Sequence, residues 1–191
     1  MGRVVPTRRS RSAGVRQAVA AWAAAVVLLV LSGCEVDTYS PVAFELVNRD
    51  RQSAGLGPLQ RSPVLDARAQ VWSAVMRDAW VASGCGHTTG HLRHSPDLVA
   101  QHWPALVVPD WSRVGENVGV VHMAPGGPAT SVRTLHHAYM DSSSHRANIL
   151  GRWTHVGIGS VTGPTAEQLA AGACPGTRVD SVMWNTQAFV K

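Results

Sequence analysis

The chain has 191 residues, 45% hydrophobic and 15% charged, enough to bury one sizeable core and too apolar to be disordered. Its net charge of +5 first points to nucleic acid, but Arg3, Arg8, Arg9, Arg11 and Arg16 all precede residue 34 and no acid does. Setting those five aside leaves 12 basic against 12 acidic residues, so the rest is neutral, with no basic stripe for a phosphate backbone.

The arginine-rich start runs into "AVAAWAAAVVLLV", residues 18–30, an apolar run short for a membrane span. "LSGC", residues 31–34, follows, and small residues before a cysteine resemble the bacterial lipobox. That resemblance implies a lipoprotein signal peptide over 1–33, with lipid on Cys34 anchoring the chain to the cell membrane. A plain signal peptide and an uncleaved anchor are the alternatives, and each places the domain outside the cytoplasm. With Cys34 so assigned, Cys85 and Cys174 remain, either as a disulfide in an oxidising compartment or as two buried thiols.

Residues 34–39 read as a short tether. A helix is predicted from Ser40-Pro41, with proline in its first turn, to Gly55. "LGPLQRS" is a loop. Ser62-Pro63 opens a second helix, in which Leu65, Ala69, Trp72, Val75, Met76, Ala79 and Trp80 recur at helical spacing and form a packing stripe. Gly84 and Gly86 end it. A long connection over 85–112 is expected to carry a helical turn near 95–103. A strand is predicted over 113–122, a loop over 123–130 and a third helix over about 130–142. A short turn follows around 145–150, then strands over 154–162 and 179–190 separated by a polar insertion. The pattern is α+β, a single domain over 40–191.

"RVGENVGV" poses a physical problem. Alternation puts Val114, Glu116, Val118 and Val120 on one face, and a carboxylate there needs ionic or hydrogen-bonding partners. Histidine is the obvious source, and all nine fall between 87 and 155: His87, His91, His94, His102, His122, His136, His137, His145 and His155. The spacing of His87, His91 and His94 would suit zinc on a helix, but Gly86 and Gly90 favour a polar surface loop. Of His136 and His137, adjacent in the third helix, one is expected to face solvent. Trp103 and Trp111 either line a groove or pack.

"HSPDL" at 94–98, "WSRVGENVGV" at 111–120, "SSSHRANILGRWTHVGIG" at 142–159 and "WNTQAF" at 184–189 together resemble the CAP superfamily. That superfamily holds cysteine-rich secretory proteins, wasp-venom antigen 5, plant pathogenesis-related proteins and bacterial SCP-like proteins. The resemblance implies a three-layer α-β-α sandwich with a central antiparallel sheet and a wide cleft lined by two histidines and two acids. The motifs place His94, Glu116 and His145 in that cleft. The second acid would fall at Ser142, three residues after Tyr139, and is missing here. Glu116 is then expected to be met by both His94 and His145, as a hydrogen-bonded network or around a divalent metal such as zinc. Asn148 and Asn117 are expected to bond backbone. The reading that follows is a monomeric, lipid-anchored module binding a lipid or envelope partner through the cleft. A metal-dependent hydrolase using His94, His145 and Glu116 is the alternative, and a structural envelope protein with a relic cleft is a third.

Overall fold

A computed structural model describes residues 38–96 and 103–191. The segment expected to be a signal peptide and Cys34 lie outside the described residues, as do His102 and the Asp97-Leu98 pair of "HSPDL". Helix α1, Ser40–Ser53, has its proline in the first turn, as predicted. Strand β1, Gln60–Arg61, falls inside the segment expected to be loop. Helix α2, Pro63–Ala82, is capped by the Ser62 side chain, which accepts from the Leu65 N–H. The connection that follows carries one-turn 3-10 helices at Thr88–His91 and Trp103–Leu106. Strand β2, Val114–His122, precedes helix α3, Pro128–Asp141, which starts slightly earlier than predicted. The predicted short turn is helix α4, Ser143–Ile149. Strand β3, His155–Gly163, leads into the insertion, whose short helix α5, Ala166–Ala170, begins with a capping box between Thr165 and Gln168. Strand β4, Val182–Val190, ends the fold.

The sheet order is β1-β3-β4-β2. The three long strands are antiparallel, and the two-residue β1 joins β3 in parallel, so the sheet is mixed at one edge. Side-chain alternation separates two cores. Val118, Val161, Val182 and Trp184 face Met76 and Trp80 of α2. Val156, Ile158, Met183 and Phe189 face the other layer, with Ala43, Leu46 and Val47 of α1 and Val132, Leu135 and Tyr139 of α3. This is the expected α-β-α sandwich.

One correction comes from packing. Val75 of the predicted stripe is exposed, and Ser73 is fully buried instead. Its hydroxyl donates to Gly159 O at 3.0 Å and lies 2.9 Å from the Thr186 hydroxyl, which can donate in turn, so a polar residue fits the helix–sheet seam. The seam is tight because β3 carries glycines where α2 crosses. A Cβ on Gly157 would overlap the backbone of Leu65 and Asp66, and one on Gly159 that of Ala69 and Gln70. The cysteines are resolved as a Cys85–Cys174 disulfide, tying the end of α2 to the insertion across 89 residues.

Candidate functional site

Glu116 sits at position three of β2, opposite Ala188 of β4, on the face towards α2. Its carboxylate is almost fully enclosed, with 1% of the side chain exposed. Two donors hold the same oxygen: His94 Nδ1 lies 2.9 Å from Oε1, and the Ser95 N–H donates to it at 2.9 Å. Ser95 is itself buried and receives a hydrogen bond from Arg68 Nη2 at 2.7 Å. The histidine partner predicted for Glu116 is therefore present, and a backbone amide joins it. The His94 ring remains largely in solvent while its Nδ1 is anchored.

His145 behaves differently from the expectation. Among the described residues its imidazole makes no hydrogen bond to Glu116. It comes from α4, in the layer opposite the face on which Glu116 stands. Its ring packs against Tyr139, centroids 5.1 Å apart and tilted by 53°. Burial lowers its pKa from the ordinary histidine range, and repulsion from His94 lowers it further. The two imidazoles thus sense each other, which the edge position of β2 permits: one reaches the strand from each layer.

The next residue on β2 organises the other side. Asn117 Nδ2 donates to His145 O at 3.2 Å and to Gln187 Oε1 at 3.0 Å. Asn148 Nδ2 donates to Glu116 O at 3.1 Å and to Asn117 Oδ1 at 2.9 Å. Asn148 therefore bonds backbone, as expected, but across to β2 rather than within its own turn. Tyr139 donates to Asn185 Oδ1 at 3.1 Å, and its pKa is raised well above the ordinary value by complete burial and by the Glu116 charge. Gly119 makes room for it: a Cβ there would lie 2.5 Å from the Tyr139 hydroxyl. Ser142 ends α3 and precedes α4, and its hydroxyl sits 3.3 Å from that of Ser144.

The other described histidines do not join this site. His91 Nε2 lies 3.1 Å from Ser83 Oγ, in the connection after α2, and His87 is exposed there. His122 is exposed at the end of β2, and His155 Nδ1 lies near Thr154 Oγ1. Trp111 packs beside Leu65 and Val190 rather than lining a groove. Of the α3 pair, His137 is exposed and His136 is buried.

The donor set fits a metal poorly. Among the described residues no group of three His, Cys, Asp or Glu side chains is placed to hold an ion. His94 and His145 offer two imidazoles, fewer than the three protein ligands of a catalytic zinc site. Oε1 of Glu116 is already engaged twice.

The sequence matches the model of the cysteine-rich secretory protein family, CAP, over residues 44–171, well over half of the chain. The chain belongs to the CAP family. YkwD of Bacillus subtilis (strain 168), an uncharacterized protein, is 30% identical over 127 residues, covering 66% of this chain. The chain spans 44% of that relative's length, less than half. Among solved structures, an outer surface protein from Borrelia burgdorferi superposes with a TM-score of 0.50 at 12% identity, over 79% of this chain and 90% of that one. An extracellular SCP-domain protein from Bacillus anthracis str. Ames gives 0.50 at 20% identity, over 80% of this chain and 40% of that one. These two share the CAP fold with the present chain.

Proposed function

We propose that the chain is an extracytoplasmic, lipid-anchored CAP domain that binds a ligand or envelope partner across the His94–Glu116–His145 edge of β2. One observation carries this reading: one oxygen of the buried Glu116 carboxylate is held by both His94 and the Ser95 amide, as befits a group that shapes the site rather than one that reacts in it. An exposed ring held by a buried carboxylate is a fixed contact point for a ligand. The "LSGC" motif supports anchoring at Cys34. The Cys85–Cys174 bridge fits an oxidising compartment, and the two structural relatives carry the words "outer surface" and "extracellular".

The lowered pKa of His145 favours a second reading. Burial favours the neutral imidazole, the state a general base requires. A hydrolase would use it, with His94 beside it and no role required of Ser142.

One experiment separates them. The full chain and a His94→Ala/His145→Ala variant are assayed against an envelope lipid and glycan panel and against a peptide library. Ligand retained by the wild type and lost in the variant, without cleavage, supports the binding module. Peptide cleavage lost in the variant replaces it with the hydrolase.

A further inference from the structure

A cavity lies away from this edge, between the end of α1, the segment before β1 and the turn before β3. Its volume is about 400 Å³, and it shares no lining residue with the His94–Glu116–His145 trio. Its charged lining residues are Arg51, Arg152 and Lys191, and no Asp or Glu lines it.

Arg51 is the unusual member. It is 4% exposed, yet among the described residues no carboxylate is paired with it. Its Nε donates to Gly57 O at 3.0 Å, and its Nη1 donates to Ile149 O at 2.9 Å and Gly151 O at 2.7 Å. The adjacent acid, Asp50, is committed to His136 and Arg49. Among the described residues Nη2 has no hydrogen-bond partner, although guanidinium presents five donors. Carbonyl dipoles satisfy donors but do not neutralise a buried charge, and burial lowers the Arg51 pKa accordingly. The carbonyl clamp accounts for Nε and Nη1 as a brace at the end of α4. It leaves Nη2 over, and it leaves the exposed Arg152 and Lys191 gathered on the same cavity.

We propose that this cavity is an oxyanion site that takes a phosphate group, with Arg51 Nη2 at its floor and Arg152 and Lys191 at its rim. Three cationic side chains with no Asp or Glu among the lining residues match a group that carries up to two negative charges, and the planar fork of a preorganised arginine suits phosphate oxygens. Gln60 and Thr154 supply neutral polar groups, while Leu56 and Pro58 give an apolar wall for the carbon skeleton of a phosphate ester. The chain's overall neutrality outside its first 33 residues is compatible with this, because the positive charge is local. The same chemistry is offered by a free phosphate ester and by a phospholipid headgroup.

The test is a nitrogen-15 NMR titration of the full chain in detergent with inorganic phosphate, glycerol 3-phosphate and short-chain phosphatidylglycerol. Saturable shifts of the Arg51 Nε–H and the Trp153 indole N–H are expected. Affinity should weaken about tenfold in R152A/K191A, whose residues are both exposed, and hold in the charge-matched R133A/R178A. Arg51→Lys, checked for folding by its melting temperature, should also weaken binding, since it removes the fork and keeps the charge. Tighter binding of glycerol 3-phosphate names a soluble ester as the source, and tighter binding of phosphatidylglycerol names a headgroup. Either confirms the site. Absence of saturable shifts with all three probes, or equal affinity in R152A/K191A and wild type, overturns it and leaves the reading of the β2 edge untouched.

Discussion

His136 Nε2 lies 2.7 Å from Asp50 Oδ2, joining the middle of α3 to the last turn of α1 across 86 positions of sequence. The imidazole is 1% exposed, and its Nδ1 is buried without a partner. That pattern fits the neutral tautomer, Nε2–H donating to the carboxylate, because a bare ring nitrogen costs less to bury than an unpaired N–H. Burial lowers the His136 pKa more than Asp50 raises it, with Arg49 and His137 adding repulsion. Burial raises Asp50, but the hydrogen bonds and charges of His136 and Arg49 outweigh it, so the carboxylate stays ionised.

This pair makes stability depend on mild acid. Folding disfavours the His136 proton, so its contribution is full above the ordinary histidine value of about 6.5 and falls as pH drops below that towards the lowered folded value. His145 shifts in the same direction and adds to the slope. The melting temperature should therefore decline between neutrality and mild acid, and His136→Gln should flatten the decline while lowering the neutral-pH value. An unchanged slope in His136→Gln would remove this histidine from the account.

Glu116→Ala should cost about 1–3 kcal/mol in urea unfolding, because it strands the buried Ser95 N–H. Glu116→Gln keeps an acceptor and should cost less. In both variants the nitrogen-15 shifts of His94 should move towards those of a free imidazole. His94 shifts that stay put would mean that the ring is held by something other than this carboxylate.

Gly159→Ala should cost about 3 kcal/mol or more, since the obstruction is helix backbone and neither element can give way. Gly90→Ala, where an added methyl meets nothing within 4 Å, is the matched control and should unfold close to wild type. Equal urea midpoints for the two variants would contradict the seam.

Removing the disulfide as Cys85→Ser/Cys174→Ser should cost about 2–5 kcal/mol, the range for closing a loop of this length. Thermal unfolding with and without reductant measures it. Wild type in reductant should match the double variant.

Zinc titrated calorimetrically into the full chain should bind weakly, as befits two imidazoles, and that binding should vanish in His94→Ala/His145→Ala. Tight binding lost in the same variant would show the two rings recruiting further ligands and would strengthen the hydrolase reading.

Much of this architecture could be read from local rules. Proline in the first turn marked α1 and α2, and strict alternation along β2 exposed the anomaly of Glu116 before any partner was visible. What escaped was non-local. A two-residue strand such as β1 has no periodicity, so only its pairing with β3 defines it. His145 lies in the opposite layer, and nothing in its neighbourhood tells which face of the sheet it approaches. Ser73 displaced Val75 from the core because its partners, Gly159 and Thr186, lie far along the chain. The burial of His136 left a faint trace: it shares a helical face with Val132, Leu135 and Tyr139, all of them buried. Asp50, its hydrogen-bond partner, gave none.

The bare backbone at Gly157 and Gly159 also works as an index mark. Because α2 rests directly on β3 there, the helix can neither slide nor roll, and its remaining turns measure a fixed distance to Cys85 and the connection carrying His94. Inserting or deleting one residue in α2 after Gln70 would carry that connection about 100° around the helix axis, away from Glu116. The Glu116 site is thus gauged from two strands away, by two positions where a side chain is missing.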